Sequence, residues 1–289
     1  MFFEKKYKMY AWALSGFIGL VILAYVIFGG LYFPTPPYFI PLSQGTNNLI
    51  VLGILLSLVI PAYIEWNNHR WLRGVDANAP RLLRDVTETV QSGVPLFRAL
   101  EEASERDYGP ISKSLETAMV KFHFTSDLEG ALTWLGETLI RPSMRRISTI
   151  LIEAHKTGGD IIDVLNTSVD LFTKLEEHQE ERRSQMRPYM SIVYLGTVIF
   201  LIISWVIITQ FLAPLIFASS ETIVGSSGIL RTLLDIEFYV AILFWAAIME
   251  SIFGGLVAGK ILEGRVSAGL IHSVVLLVIT IVFFNAFSI

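Results

Sequence analysis

The residues of this chain best suited to chemistry sit inside or beside uncharged stretches. Gly254-Gly255-Leu256-Val257-Ala258-Gly259-Lys260 has the Gly-x-x-x-x-Gly-Lys spacing of a phosphate loop, in which backbone N–H groups cradle a phosphate and the lysine reaches it. The next residue is Ile261, where such a loop needs a Ser or Thr hydroxyl for Mg²⁺. The glycines also close an apolar helix instead of joining a strand to one, so nucleotide binding is rejected here. What the spacing offers instead is a smooth face: Gly255 and Gly259, with Ala258 beside them, let another membrane helix approach closely.

Glu250 lies nine residues before Gly259, about 13 Å away at ~1.5 Å rise. That depth is well inside hydrocarbon, where an ionised carboxylate must face protein, pair or be protonated. His272, on the following apolar stretch, is its candidate partner. Two readings stay open for Glu250, a coupling or assembly residue and a satisfied polar contact within a helix bundle.

Arginines form two clusters. Arg182, Arg183 and Arg187 abut an apolar run and answer to the positive-inside bias and headgroup contact. Arg141, Arg145 and Arg146 do not. Arg141 and Arg145 share a face at i, i+4, at a helix start where positive charge is mildly unfavourable, so they are candidate partner contacts set against the common fate of a solvated face. Lys260 and Arg265 are further candidates, since the loop carrying them is so short that a force on it moves both flanking helices.

Other chemistry is excluded by composition. There is no cysteine, which removes disulfides, thiolate metal sites and cysteine nucleophiles together. The five histidines are scattered without ligand spacing. Ser, His and Asp gather around no strained turn. The expectation is a protein that is not an enzyme and holds no cofactor or metal.

These residues are positioned by a division of charge. Between Lys8 and Glu65, and again between Tyr189 and Ser220, no residue is charged, while the 123 residues from Glu65 to Arg187 hold 36 of 48 formal charges. About 20 uncharged residues cross ~30 Å of hydrocarbon as a helix. Five spans are predicted, near 9–31, 48–64, 189–213, 237–259 and 267–288, with Pro34, Pro36 and Pro37 between the first two. The fold class is an all-α membrane protein in three parts: two transmembrane helices in 1–64, a cytoplasmic helical domain in 65–187 and three transmembrane helices in 188–289. Lys5, Lys6, Lys8, the 182–187 arginines, Lys260 and Arg265 place the N-terminus inside and the C-terminus outside, with only Arg231 opposed. The domain's 16 basic and 20 acidic residues are interspersed, which excludes a nucleic-acid footprint.

Within that domain the apolar spacing is helical. Leu83, Val86 and Val90 repeat at 3 and 4, as do Ile147, Ile150, Leu151 and Ala154, then Ile161, Leu165, Phe172 and Leu175. Gly93 reads as a left-handed cap, Pro95 and Pro142 as helix starts, Gly109-Pro110 as a break, Ser126-Asp127-Leu128-Glu129 as a capping box, and Gly158-Gly159 as a stop before Asp160. About six short helices are expected.

The run Gln91-Ser92-Gly93-Val94-Pro95-Leu96, an Ala99-Leu100 pair further along the same helix, the start Glu129-Gly130-Ala131-Leu132, and Ala154-His155-Lys156-Thr157-Gly158-Gly159-Asp160-Ile161 together resemble the type II secretion system F-domain family. The segments 254–265 and 268–273 resemble its archaeal branch, the membrane assembly protein J of archaella and archaeal pili. The resemblance covers about 75–289. It departs at Asp160, where many members have Glu, and in holding one domain copy instead of two. A single copy implies either a half-size, Tad-like subunit or a piece of a longer chain. The resemblance implies an inner-membrane platform that couples a cytoplasmic secretion or pilus-assembly ATPase to pilins or prepilins, pairs with a second platform subunit and binds no nucleotide. The rivals are a transporter or channel using Glu250 and His272, and a membrane sensor whose bundle binds a signalling partner.

Overall fold

The computed structural model describes residues 5–33, 39–158, 161–212, 214 and 236–287. They are all-α, with no strand among them. Two compact units result, a bundle over Asn67–Ser184 and a membrane unit from Phe3–Trp66 and Gln185–Ile289.

Among the described residues the helices are α1 (Lys5–Phe28), α2 (Gln44–Gln91), α3 (Leu96–Ser104), α4 (Ser112–Thr125), α5 (Leu128–Thr138), α6 (Pro142–Thr157), α7 (Ile161–Val206), α8 (Ile236–Glu263) and α9 (Leu270–Ala286). Single 3₁₀ turns at Gly109–Ile111 and Val266–Gly269 lead into α4 and α9, and a π turn at Ile207–Leu212 extends α7.

The first and last helices of the bundle are not short, which corrects the sequence reading. They are the polar parts of α2 and α7, which also supply spans. The 48 residues of α2 rise about 72 Å, more than twice the ~30 Å of hydrocarbon. Pro61 and Pro188 fail to break their helices. Each removes one donor, and stopping a helix there would expose several unpaired backbone groups instead.

The bundle core is built from large aliphatic side chains. Leu83, Val86, Leu100, Leu115, Leu132, Ile147 and Leu151 are fully buried in one cluster. Each contributes roughly 1.5–3 kcal/mol by leaving water. The predicted stripes supply it: Val90, Ala154, Leu165 and Phe172 are also members. Gly93, Gly109 and Gly158 take the positive φ their stops require. The capping box is corrected. Ser126 is the left-handed end of α4, at φ 55, and Asp127 alone caps α5, accepting from the Gly130 N–H at 2.9 Å. Glu129 turns away to accept from Lys156 Nζ at 2.7 Å.

Among the described residues five helical stretches are long and apolar enough to span, at Lys6–Phe28, Gln44–Gln91, Ile161–Leu212, Glu237–Glu263 and Val266–Ala286, the second and third of them also supplying bundle helices. The membrane unit's own cluster is small, centred on Phe244, Ala247, Ile248, Leu277 and Phe284, with Phe244 and Phe284 edge to face at 5.2 Å. Lys8 Nζ and Glu65 Oε1, the charges bracketing the first uncharged stretch, meet at 3.0 Å. Pro34, Pro36, Pro37, Gly159, Asp160 and Arg231 lie outside the described residues.

Candidate functional site

At one end of the bundle the chain turns from α5 into α6 through Ile140, at φ 52, and Arg141, extended at φ -115. Pro142 then opens α6, its fixed φ suiting the first helical position. Extended Arg141 sends its guanidinium back to α2. Nε donates to Asp76 Oδ1 at 2.9 Å, Nη2 donates to Oδ2, and Ser143 Oγ donates to Oδ1 at 2.6 Å. The arginine cluster is therefore divided. Arg141 is committed within the bundle, whereas Arg145 and Arg146 are exposed. Among the described residues neither of their guanidinium groups has a partner. With Ile140, Ile150, Leu171 and Leu175 they border a groove of about 520 Å³, floored by Phe172.

A buried polar network that sequence reasoning missed fixes the opposite side of α2. Tyr108 is fully buried, donates its hydroxyl to Asp85 Oδ2 at 2.7 Å, and carries Arg81 over its ring at 5.7 Å. Arg106 reaches the same carboxylate at 3.4 Å. Burial, then the hydrogen bond to Asp85, pushes the Tyr108 phenol up to about 12. Nothing local in Arg-Asp-Tyr-Gly announces a partner more than 20 residues away.

In the membrane unit, Gly255 and Gly259 do face a close helix, but it is the chain's own. A Cβ at Gly255 would strike the Ser273 backbone, and one at Gly259 the backbone of Gly269 and Ala268. The close approach that the spacing offered is thus made by the start of α9, and the face is not left free for a second subunit. Ser273 Oγ donates to the Ile252 carbonyl at 2.8 Å, and Ser251 Oγ and Thr280 Oγ1 lie 2.7 Å apart.

That antiparallel register separates Glu250 from His272. Gly255 sits opposite Ser273 and Gly259 opposite Gly269, which puts Glu250 level with the residues near Val278, about six residues or ~9 Å along the axis from His272. His272 Nδ1 is instead 2.8 Å from Tyr194 Oη, the rings edge to face at 6.0 Å. Among the described residues Glu250 makes no hydrogen bond or ion pair. Lys260 is helical, on the last turn of α8, and Arg265 follows Gly264 at φ 71. Both are exposed. Among the described residues no cluster of His, Cys, Asp or Glu has the make-up of a metal site.

An all-α, multi-pass membrane protein with one polar helical bundle is thus the class that fold and site define. Residues 82–209 match the family model "Type II secretion system (T2SS), protein F", and the chain carries a domain of that family. Proteins of this family work with assembly ATPases and pilins in secretion machinery. The chain is also 25% identical over 248 residues to an uncharacterized protein of Methanocaldococcus jannaschii, a match covering 84% of this chain and 38% of that protein. The chain thus spans well under half the length of that relative. No solved structure matches.

Proposed function

We propose that this chain is a platform subunit of a type IV filament machine, an archaeal pilus, archaellum or type II secretion-like apparatus, and that it acts mechanically and not as an enzyme. The observation that carries the reading is an F-type domain over 82–209 joined to five helices able to span a membrane. The bundle lies in the cytoplasm with the N-terminus inside and the C-terminus outside, an orientation supported by the basic residues flanking the spans. A hexameric assembly ATPase docks beneath it, and its cycle is conveyed to pilins through the bundle and through the α8–α9 junction, where Lys260 lies on the last turn of α8 and Arg265 follows that helix. A second platform subunit completes the unit, by a surface other than the filled Gly255/Gly259 face.

Affinity purification from native membranes tests this. Co-isolation of a secretion ATPase and prepilins is expected; ion flux through the purified protein in liposomes, with neither partner bound, would replace it with the transporter. The separation of Glu250 from His272 counts against that rival. For orientation, a cysteine placed at Ser43 in this thiol-free chain should be labelled only from outside. Reversing Lys260 and Arg265 to Glu should impair filament assembly more than ATPase binding. Equal loss of both would mean that the turn is a docking site and not a transmitter.

A further inference from the structure

We infer that the groove between α6 and α7 is a docking site for an acidic amphipathic helix of a partner protein. The inference rests on reading Arg145 and Arg146 as partner-facing groups; it does not depend on the filament assignment. Three features of the groove converge. Its volume, about 520 Å³, is that of a real binding cleft, and its walls are apolar side chains left open to water: Ile140 is 61% and Leu171 55% exposed. Among the described residues its charged rim is cationic: Arg145 and Arg146 stand over it unpartnered, Arg141 behind them is already neutralised by Asp76, and no described carboxylate borders the groove. The third feature is backbone strain. Ile140 holds φ 52, a conformation costly for a β-branched residue and persistent only where surrounding structure imposes it. The same left-handed residue ends α5 and lets the extended Arg141 reach Asp76, and it leaves an isoleucine side chain open to solvent at the groove edge, where glycine would make the turn without strain.

An apolar trough with a one-signed rim selects its occupant by chemistry. Apolar anchors at i, i+3 and i+4 fill the trough, and Asp or Glu on the flank of the same helix meet the two guanidiniums, in the helix-in-groove mode. A basic helix is repelled, and a small anion satisfies the rim but leaves the apolar walls wet.

The test is selection of displayed helical peptides, about four turns long, on the full-length protein in nanodiscs. Enrichment of acidic sequences with apolar residues at helical spacing is expected. Their affinity should fall about tenfold on Arg145→Glu with Arg146→Glu, with the gap closing as salt rises. Ile140→Gly separates docking from architecture: glycine takes φ 52 without strain, so thermal stability should hold or rise while peptide affinity falls. Basic or non-amphipathic winners, no enrichment, capture that survives the arginine reversal, or an Ile140→Gly protein that is less stable yet binds normally would each overturn the inference. A native mass that drops on arginine reversal would do so as well, since a second copy would then be the occupant. Failure here leaves co-isolation of the ATPase as an independent test of the platform reading.

Discussion

The two units of this chain solve the same packing problem with opposite materials. In the bundle, Leu83, Leu100, Leu132 and Leu151 meet side chain to side chain, and water drives them together. In the membrane unit α8 and the start of α9 meet backbone on backbone, Gly259 against Gly269 and Gly255 against Ser273. Lipid tails are as apolar as leucine, so helices there gain little by burying bulk and must gain by close approach and hydrogen bonds. The bundle is therefore intolerant of lost volume, and the α8–α9 hairpin of added volume.

The sharpest way to break that contrast is Gly259→Leu. Its side chain would occupy the space of the Gly269 backbone, which cannot swing aside as a flexible side chain can. The cost should exceed the ~1–3 kcal/mol of ordinary overpacking. We expect loss of monodisperse, cooperatively melting protein in detergent. Gly254→Ala, which meets only side-chain tips, Val193 at 3.3 Å and Leu276 at 3.9 Å, should melt almost as the wild type does. Equal melting of all three proteins would mean that the hairpin contact is not tight.

The bundle should fail in the opposite sense. Leu132→Ala empties space in a fully buried site, and denaturant titration should show a loss of about 2–5 kcal/mol. A loss under ~1 kcal/mol would indicate a core that collapses around the gap, more like a membrane interface than a water-driven one.

These differences also explain what was legible in the sequence. Charge-poor stretches betray spans because charge is costly in hydrocarbon, and Leu83, Ile147 and Phe172 betray the core through local spacing. The Gly255 and Gly259 pair showed that something approaches closely, but not that it is the chain's own Gly269, because small residues specify distance and not partner. The tie between Arg141 and Asp76 spans 65 residues, and one chain carries no signal for it. Residues 141, 145 and 146 consequently read as one cluster, although the fold neutralises the first and leaves the other two at a groove. Pairing Glu250 with His272 failed for a similar reason: both lie on apolar helices, but only the register of α8 against α9 decides who is level with whom.

Hydrogen bonds sharpen the comparison at smaller scale. In the bundle, Tyr108→Phe deletes a buried bond to a carboxylate and should cost about 1–3 kcal/mol. Because the folded phenol titrates near 12 and the unfolded one near ~10, its contribution is fully present below pH ~10 and is lost as pH rises toward 12. Stability measured against pH should show that alkaline fall in the wild type and a flatter profile in Tyr108→Phe. An identical fall in both proteins would assign the alkaline loss to another group.

The smallest effect belongs to the hydroxyl pair in the membrane unit. Ser251 Oγ donates to the Ala247 carbonyl at 2.8 Å and lies 2.7 Å from Thr280 Oγ1, so with its one proton engaged it must accept from the threonine. In Ser251→Ala the threonine loses that acceptor but can turn its proton to a carbonyl one turn earlier on α9, as serines and threonines in helices commonly do. Interhelical bonds in membranes average only ~0.6 kcal/mol, reaching ~1.7, because such rescue is always near. Ser251→Ala should therefore cost less than Tyr108→Phe, whose Asp85 keeps, among the described residues, only the longer contact to Arg106. Thr280→Val should cost no more than Ser251→Ala, since the serine keeps Ala247. If either membrane variant proved as damaging as Tyr108→Phe in the same detergent and under the same melting protocol, hydrogen bonding and not close backbone approach would be what holds α8 to α9.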